Sequence, residues 1–317
     1  MFPKECIEDR YGLIILSIEE IKEGTDNDTY MVQADEDTYF LKLFDEAYND
    51  EKRENLRRQF RVLEHVDENQ GFDYDVNLPV RNQHGNNVSR LQDRYGWLSR
   101  SVPGEKHTRR SEENIRKLGR SLADYHEAIE DLTVHGDSNP PLDWLNGDLR
   151  EKQSRTDDDH ITNIVEDYLD HLTYTHDNTQ LQEYLGTQPS TIVHGDFTLE
   201  NVMFTGDEIT GVIDFDNNRI APAADDIGWT LMSTAFKDSE YKPGRTETLF
   251  DAYHRRNFKP DEKQLIKWSA LIDLIAIANA VLDPSSSMSG SKATLQALHQ
   301  KSSALREDLT KNQTQTA

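Results

Sequence analysis

The 317-residue sequence predicts an α+β protein with a β-rich N-terminal lobe at residues 1–100 and a mostly helical C-terminal lobe at residues 101–317. Two patterns support this division. The runs Thr29–Ala34 and Thr38–Phe44 are rich in β-branched and aromatic residues and flank an acidic turn, which is typical of a β-hairpin. After Pro103-Gly104, apolar residues recur at the spacing of amphipathic helices. We therefore expect two lobes, connected by one extended strand that ends at this Pro-Gly pair.

The N-terminal lobe is expected to contain one helix among its strands. Helical periodicity extends over residues 50–66, where Leu56, Phe60, Leu63 and Val66 recur on one face. The remaining predicted strands of this lobe are Leu78–Val80, Asn87–Leu91 and Trp97–Val102.

The C-terminal lobe combines predicted helices with short strands. Helices are expected at Asn114–Ile129 and Ile161–Leu172, and helices dominate beyond Asp225. The predicted strands are Thr191–His194, Asn201–Phe204 and Ile209–Asp214.

The chain is strongly acidic, with 59 Asp and Glu against 35 Lys and Arg and a formal net charge of −24. Such a charge repels nucleic acids and anionic membranes at long range, so we expect neither as a partner. The acids are spread over the whole sequence, which favours a solvated coat of the kind that keeps halophilic proteins soluble in a salty cytoplasm. An acidic cleft for a cationic substrate is the alternative.

Cysteine usage and hydropathy predict a cytoplasmic protein. Cys6 is the single cysteine, so no internal disulfide can form. The first ten residues contain no apolar segment of the secretory type. The longest apolar run, Leu271–Leu282, is interrupted by Asp273 and Asn279 and is too short to cross a bilayer. The oligomeric state is not indicated by the sequence.

The strongest chemical signal is the segment His194–Asn201, which follows a predicted strand and has the sequence HGDFTLEN. Asp214 lies thirteen positions after Asn201. Phosphoryl transfer needs a carboxylate beside the attacking hydroxyl and oxygen ligands for Mg²⁺ on the ATP phosphates. Asp196 can supply the first, and Asn201 with Asp214 can supply the second.

The predicted secondary structure supports the pairing of the two metal ligands. Asn201 opens one strand, Asp214 closes the next, and the turn at residues 205–208 lies midway between them. Antiparallel pairing about that turn would place Asn201 and Asp214 side by side. The sequence therefore predicts a Mg²⁺ site at the open end of this hairpin.

These motifs resemble the paired signature of the aminoglycoside phosphotransferase and choline-kinase-like family. The resemblance extends from about residue 24 to about residue 230, and its further matches are Gly24, Asn27 and Thr29-Tyr30, Phe40–Leu43, Val102–Glu105, Leu118-Gly119 with Leu122-Ala123 and His126, and Pro222 with Asp225–Gly228. It implies a protein-kinase-like bilobal fold. It also implies transfer of the ATP γ-phosphate to a hydroxyl of a small molecule, such as an amino-alcohol, a sugar or an aminoglycoside.

The resemblance also implies roles for individual residues. Asp196 would be the catalytic base, Asn201 and Asp214 would hold Mg²⁺, and Lys42 would bind the α- and β-phosphates. The other implied nucleotide contacts are Gly24 and Asn27 in the nucleotide loop and the backbone near Ser99 to Ser101 at the adenine edge.

One position departs from the family pattern. Family members usually pair the phosphate-binding lysine with a glutamate on the following helix, where this sequence has Gln59. Glu51, Glu54 and Gln59 are therefore the candidate partners of Lys42. Such a partner is needed if the ammonium group is buried in its apolar strand.

Other polar residues near the motif have simpler interpretations. His126 is expected to be a packed, hydrogen-bonded core residue, and His194 to brace the catalytic loop. Asp216, Asp225 and Asp226 could attract a substrate amine or stabilise local turns, and both interpretations stay open.

Two other functions are compatible with the same fold. An atypical Ser/Thr protein kinase is disfavoured because no Ala-Pro-Glu motif follows Asp214. A nucleotide-binding pseudokinase is disfavoured because Lys42, Asp196, Asn201 and Asp214 are all retained.

Overall fold

The computed structural model describes residues 4–21, 27–35, 37–44, 48–69, 71–132, 190–237 and 240–253, together with positions 183, 187, 261 and 268. Of the predicted elements, Ile161–Leu172 and the apolar run Leu271–Leu282 lie outside this set. The chain divides into two compact units. The first comprises Met1–Glu105 and Met203–Asp216, and the second comprises Lys106–Val202 and Asn217–Ala317.

The elements follow each other in this order: α1 (Lys4–Tyr11), β1 (Ile15–Ile21), β2 (Asn27–Ala34), β3 (Thr38–Phe44), α2 (Asp50–Glu68), β4 (Asp75–Val76), β5 (Val88–Leu91), β6 (Arg94–Arg100), α3 (Glu112–Ala128), β7 (Ser190–Val193), a 3₁₀ turn (Leu199–Asn201), β8 (Val202–Thr205), β9 (Glu208–Val212), a 3₁₀ turn (Phe215–Asn217), β10 (Arg219–Pro222), α4 (Ala224–Thr234), β11 (Phe236–Lys237), β12 (Glu240–Tyr241) and α5 (Pro243–Ala252). The predicted α+β class is confirmed.

The first unit is built on a five-stranded antiparallel sheet with the strand order β1-β2-β3-β6-β5. The predicted hairpin of β2 and β3 is present. Strand β3 alternates in the way that a half-buried strand requires, because Leu41 and Leu43 are buried while Lys42 between them is only partly buried. Helix α1, which the sequence analysis did not predict, adds Ile7 and Tyr11 to the same core.

The hairpin of β8 and β9 belongs largely to the first unit. Strand β9 pairs in parallel with β4, and the backbones of Glu105 and Phe204 exchange two hydrogen bonds of 2.8 Å. The sequence analysis predicts continuous lobes that meet between residues 100 and 101, whereas the compact units are discontinuous. They differ chiefly in the segment Met203–Asp216, which joins the first unit.

The second unit packs helices around the short β7–β10 pair. Helix α3 buries Ile115, Leu118, Leu122 and Tyr125, which is the face that its periodicity predicts. It also packs against α5 at Gly119, where an added Cβ would press on Ala252 and Leu249.

Within the described residues, no helix combines the length and the apolar character that crossing a membrane requires.

Candidate active site

The loop after β7 is held in a shape that only glycine permits at one position. Strand β7 ends at Val193, and Gly195 follows with a φ of +84°, in the left-handed region. An added Cβ at Gly195 would also collide with the backbone carbonyl of Asn217. The histidine and the aspartate on either side of this glycine are therefore separated by a sharp turn, which presents Asp196 at the start of the loop.

The carboxylate of Asp196 is fixed by two side chains of the second unit. Asn201 donates through Nδ2 to Asp196 Oδ2 at 2.7 Å and to the Asp196 main-chain oxygen at 2.9 Å. The indole Nε1 of Trp229 donates to Asp196 Oδ1 at 2.5 Å. Each carboxylate oxygen accepts one hydrogen bond in this way, so the orientation of the group is set before any substrate binds.

Asp226 on α4 holds the loop by accepting hydrogen bonds from its backbone amides. Its Oδ2 accepts from the His194 backbone amide at 2.7 Å and lies 3.0 Å from His126 Nε2, and its Oδ1 accepts from the Gly195 amide at 2.7 Å. Burial by itself would raise the pKa of Asp226. The hydrogen bonds and the nearby histidines outweigh burial and lower the pKa instead.

The neighbouring Asp225 is equally buried but has a weaker donor set. Arg219 donates to its Oδ2 at 3.2 Å, and Trp268 donates to its Oδ1 at 2.8 Å. Here burial outweighs the partners and raises the pKa of Asp225 to about 6. Both carboxylates are buried, with 1% and 0% exposure, which favours the bracing role over attraction of a substrate amine.

The two histidines have the structural roles expected from the sequence. The ring of His126 is buried, and its Nδ1 lies 2.7 Å from the hydroxyl of Tyr253. His194 is also buried, and its Nδ1 accepts a hydrogen bond from the backbone amide of Asp196 at 3.2 Å. Both rings therefore support the loop after β7, His194 directly and His126 through Asp226.

The first unit brings together Lys42 and two carboxylates. Lys42 Nζ lies 3.2 Å from Asp214 Oδ1 and 2.7 Å from Asp216 Oδ2. Burial alone would lower the pKa of Lys42, but the two carboxylates outweigh burial and hold its pKa above the ordinary value. Lys42 is therefore a cation at the point where the hairpin of β8 and β9 ends.

The described ion pairs of Lys42 are made with Asp214 and Asp216, which were not among its three candidate partners. Glu54 is exposed and pairs with Arg57 on the same helix, and the side chain of Glu51 lies outside the described part of the chain. Gln59 is buried, and its Nε2 donates to Asp216 Oδ1 at 3.1 Å. The carboxylates that neutralise Lys42 come instead from the turn after β9.

Asp214 and Asn201 have the chemistry that a Mg²⁺ ligand needs. Asp214 sits at a φ of +67°, unusual for a residue with a side chain, and its carboxylate is 44% exposed. Both hydrogen bonds of the Asn201 amide nitrogen go to Asp196, which turns the amide oxygen away from that carboxylate. Hard oxygen donors of this kind suit Mg²⁺. The two residues belong to different units, so their sharing of one ion stays a prediction.

The predicted nucleotide contacts are only partly within the described chain. Gly24 lies outside it, and Asn27 is the first residue of β2. Ser99 is buried on β6, and the backbone amide of Ser101 donates to Thr38 at 3.0 Å. Recognition of adenine by this stretch stays a prediction, and the Ser101 amide already has an acceptor within the unit.

Comparison with known proteins identifies the family. A sequence model described as the phosphotransferase enzyme family matches residues 17–265. The chain belongs to this family. As a member it is a phosphotransferase that acts on a hydroxyl group. The resemblance inferred from the motifs is thereby confirmed.

Among curated proteins, this phosphotransferase is similar to homoserine kinases. It is 24% identical over 253 residues to that of Parvibaculum lavamentivorans, covering 78% of this chain and 74% of the relative. It is 25% identical over 248 residues to that of Sinorhizobium fredii, covering 75% and 70%.

Among solved structures, the phosphotransferase resembles a microcompartment-associated aminopropanol kinase with a TM-score of 0.72 and 19% identity, covering 97% of each chain. It also resembles an aminoglycoside phosphotransferase from Alicyclobacillus acidocaldarius with a TM-score of 0.67 and 16% identity, covering 98% of this chain and 97% of that one. These likenesses confirm the predicted protein-kinase-like fold.

Sequence reasoning missed two supports of the catalytic loop in the phosphotransferase. Trp229 contacts Asp196, and the Thr230 hydroxyl donates to the Phe197 carbonyl at 2.7 Å. Together with Asp226 these residues follow the spacing i, i+3, i+4, so α4 presents all three on one face. That spacing, beginning three positions before a tryptophan, is the signal that could have identified them.

Proposed function

We propose that this protein is an ATP- and Mg²⁺-dependent kinase that transfers the γ-phosphate to a hydroxyl of a small amino-alcohol. The observation that carries the proposal is the Asp196 carboxylate, which is oriented by Asn201 and Trp229 on a loop held by Asp226. A carboxylate fixed in this way is suited to accept the proton of an attacking hydroxyl.

The hydrogen bonds to Asp196 hold its carboxylate in one orientation. Asn201 donates to one carboxylate oxygen and Trp229 to the other. A substrate hydroxyl would therefore meet a carboxylate whose rotation is already restricted. Positioning of this kind lowers the entropy that must be lost on reaching the transition state.

The first unit contains a cation and a carboxylate suited to bind a nucleoside triphosphate and its metal ion. Lys42 is a partly buried cation suited to phosphate oxygens, and Asp214 offers a partly exposed carboxylate. With Asn201, Asp214 would hold Mg²⁺, which when bound neutralises charge on the phosphate oxygens. These residues support ATP and Mg²⁺ as the cosubstrate and metal.

The acceptor class is inferred from the relatives and from the surroundings of Asp196. Homoserine and aminopropanol, named for two of the similar proteins, each carry a hydroxyl and an amine. The half-buried Trp229 lies against Asp196, and an indole face attracts cations. The net charge of −24 also favours the approach of a cationic acceptor. Sugars and aminoglycosides are the next candidates to test.

The test is ATP consumption by the purified protein with a panel of acceptors. We expect turnover with small amino-alcohols, and much less with the same alcohols lacking the amine. Asp196→Asn should lower turnover by about two orders of magnitude while ATP still binds, because the variant keeps size but loses the base.

A matched control and two contrary results complete this test. Asp207→Asn, in the exposed turn between β8 and β9, makes the same chemical change and should leave turnover unaltered. Near-wild-type turnover in Asp196→Asn would contradict the assignment of the base. Phosphorylation of serine-containing peptides, with none of the small alcohols accepted, would contradict the acceptor class.

A further inference from the structure

The phosphate-binding lysine is connected to helix α2 through an intermediate carboxylate. Lys42 Nζ contacts Asp216 Oδ2, and the other oxygen of Asp216 accepts from Gln59 Nε2. We propose that Asp216, held by Gln59, is the positioning residue for Lys42, in place of an acid on α2. This proposal rests on the proposed function, because it assumes that Lys42 binds nucleotide phosphates.

The geometry favours Asp216 over Asp214 for this role. The Lys42–Asp216 distance is 2.7 Å against 3.2 Å to Asp214, and the Asp216 side chain is 27% exposed against 44%. The shorter and less exposed pair is less screened by solvent. Both aspartates contact Lys42, but Asp214 also has a predicted role as a metal ligand.

The amide of Gln59 determines the direction of the hydrogen bond. Gln59 is 2% exposed, so its side chain is fixed within the unit. It donates to Asp216 Oδ1, which leaves Oδ2 turned toward Lys42. A glutamate at position 59 would place two carboxylates against each other and could not donate. The amide at position 59 and the acid at position 216 are therefore complementary as donor and acceptor.

The two chemical groups can be exchanged between the two positions. Asp216→Asn removes the carboxylate beside Lys42, and Gln59→Glu removes the donor and adds a like charge. In the double variant Q59E/D216N, the amide introduced at position 216 can donate to the carboxylate introduced at position 59, and its oxygen can accept from Lys42. The pairing is then restored with its polarity reversed. A coupling measured in this cycle isolates the contact between the two residues.

The experiment measures binding of ATP, ADP and adenosine by calorimetry, each with Mg²⁺ and with a chelator, together with Tm. We expect either single change to weaken ATP and ADP about tenfold, the size of a lost charge-assisted hydrogen bond. The double variant should return to within about threefold of the wild type. Adenosine, which has no phosphates, should bind equally well throughout. The control Glu54→Gln changes an acid to an amide on the same helix at the exposed Glu54–Arg57 pair and should alter nothing.

Several results would overturn the proposal. Unchanged or tighter ATP binding in Gln59→Glu would mean that position 59 acts on Lys42 directly. A loss in Asp216→Asn seen only with Mg²⁺ would make Asp216 a metal ligand, and an equal loss for adenosine would make it merely structural. These binding measurements contain no acceptor, so they can be interpreted even if the acceptor screen fails. The role of Asp216 and the proposed acceptor class can therefore be refuted separately.

Discussion

Replacing Asp226 with asparagine should destabilise the protein and misplace the catalytic loop. The carboxylate accepts from the His194 and Gly195 amides on different oxygens and faces His126. An asparagine has one acceptor oxygen, so one of the two backbone amides must face its NH₂ group. A buried donor without an acceptor costs about 1–3 kcal/mol, and each remaining bond loses about 1 kcal/mol with the charge.

Relief of the carboxylate's desolvation offsets part of this loss, so we expect about 3 kcal/mol in the free energy of unfolding. Urea denaturation at neutral pH measures this quantity. Turnover should fall at least tenfold, because Asp196 follows the two amides directly.

Asp225→Asn is the matched control for this experiment. It makes the same change at an adjacent and equally buried carboxylate whose donors are the side chains of Arg219 and Trp268. Because burial dominates its energetics, we expect it to cost clearly less in stability and to retain most of the turnover. Equal losses of stability and activity in the two variants would refute the reasoning that the backbone amides are the important partners.

Three further predictions follow from other parts of the structure. Gly195→Ala should lower the free energy of unfolding, measured by urea denaturation, by several kcal/mol, because φ is positive and the added Cβ meets Asn217. Gly206→Ala, with a φ of +62° and no neighbour within 4 Å, should lower it by about 1 kcal/mol, and equal losses in the two variants would contradict this prediction. The pKa of Asp225 rises from 3.8 to about 6 on folding, so its contribution of roughly 3 kcal/mol to the free energy of unfolding is present below pH 4 and lost as pH rises to about 6. If Asp225→Asn shows the same dependence of unfolding free energy on pH as the wild type, this prediction is wrong. If the charge of −24 is mainly a solvated coat, Tm should rise with KCl well beyond physiological strength, and a flat or falling Tm would favour the acidic cleft for a cationic substrate.

Local patterns in the sequence predicted the parts of the fold that depend on near neighbours. The hairpin of β2 and β3, the inward face of α3 and the strand before the catalytic loop all follow from periodicity over fewer than twenty residues. Helix α1 was not predicted because only Ile7 and Tyr11 mark its buried face. Strand β1 was not predicted because its burial does not alternate with a period of two.

The partner of Lys42 could not be predicted from local patterns. Asp216 is 174 positions away in sequence, and the family pattern directed attention to the acids of α2 instead. The charge of a buried ammonium group requires a partner but does not specify which element provides it. For the same reason the bracing role of Asp226 became clear only when its donors were known.

The catalytic loop obtains its main hydrogen-bond partners from sequence that follows it. Asp226 lies 32 positions after His194, Trp229 lies 33 after Asp196, and Tyr253, which contacts His126, comes later still. On the ribosome the loop is therefore made before the groups that fix it. Domains generally fold as units during synthesis, so a domain is completed only when all of its elements have been made. The loop can form these hydrogen bonds only after α4 has been synthesised, so a nascent chain that stops short of α4 would hold the His194 and Gly195 amides without the Asp226 carboxylate.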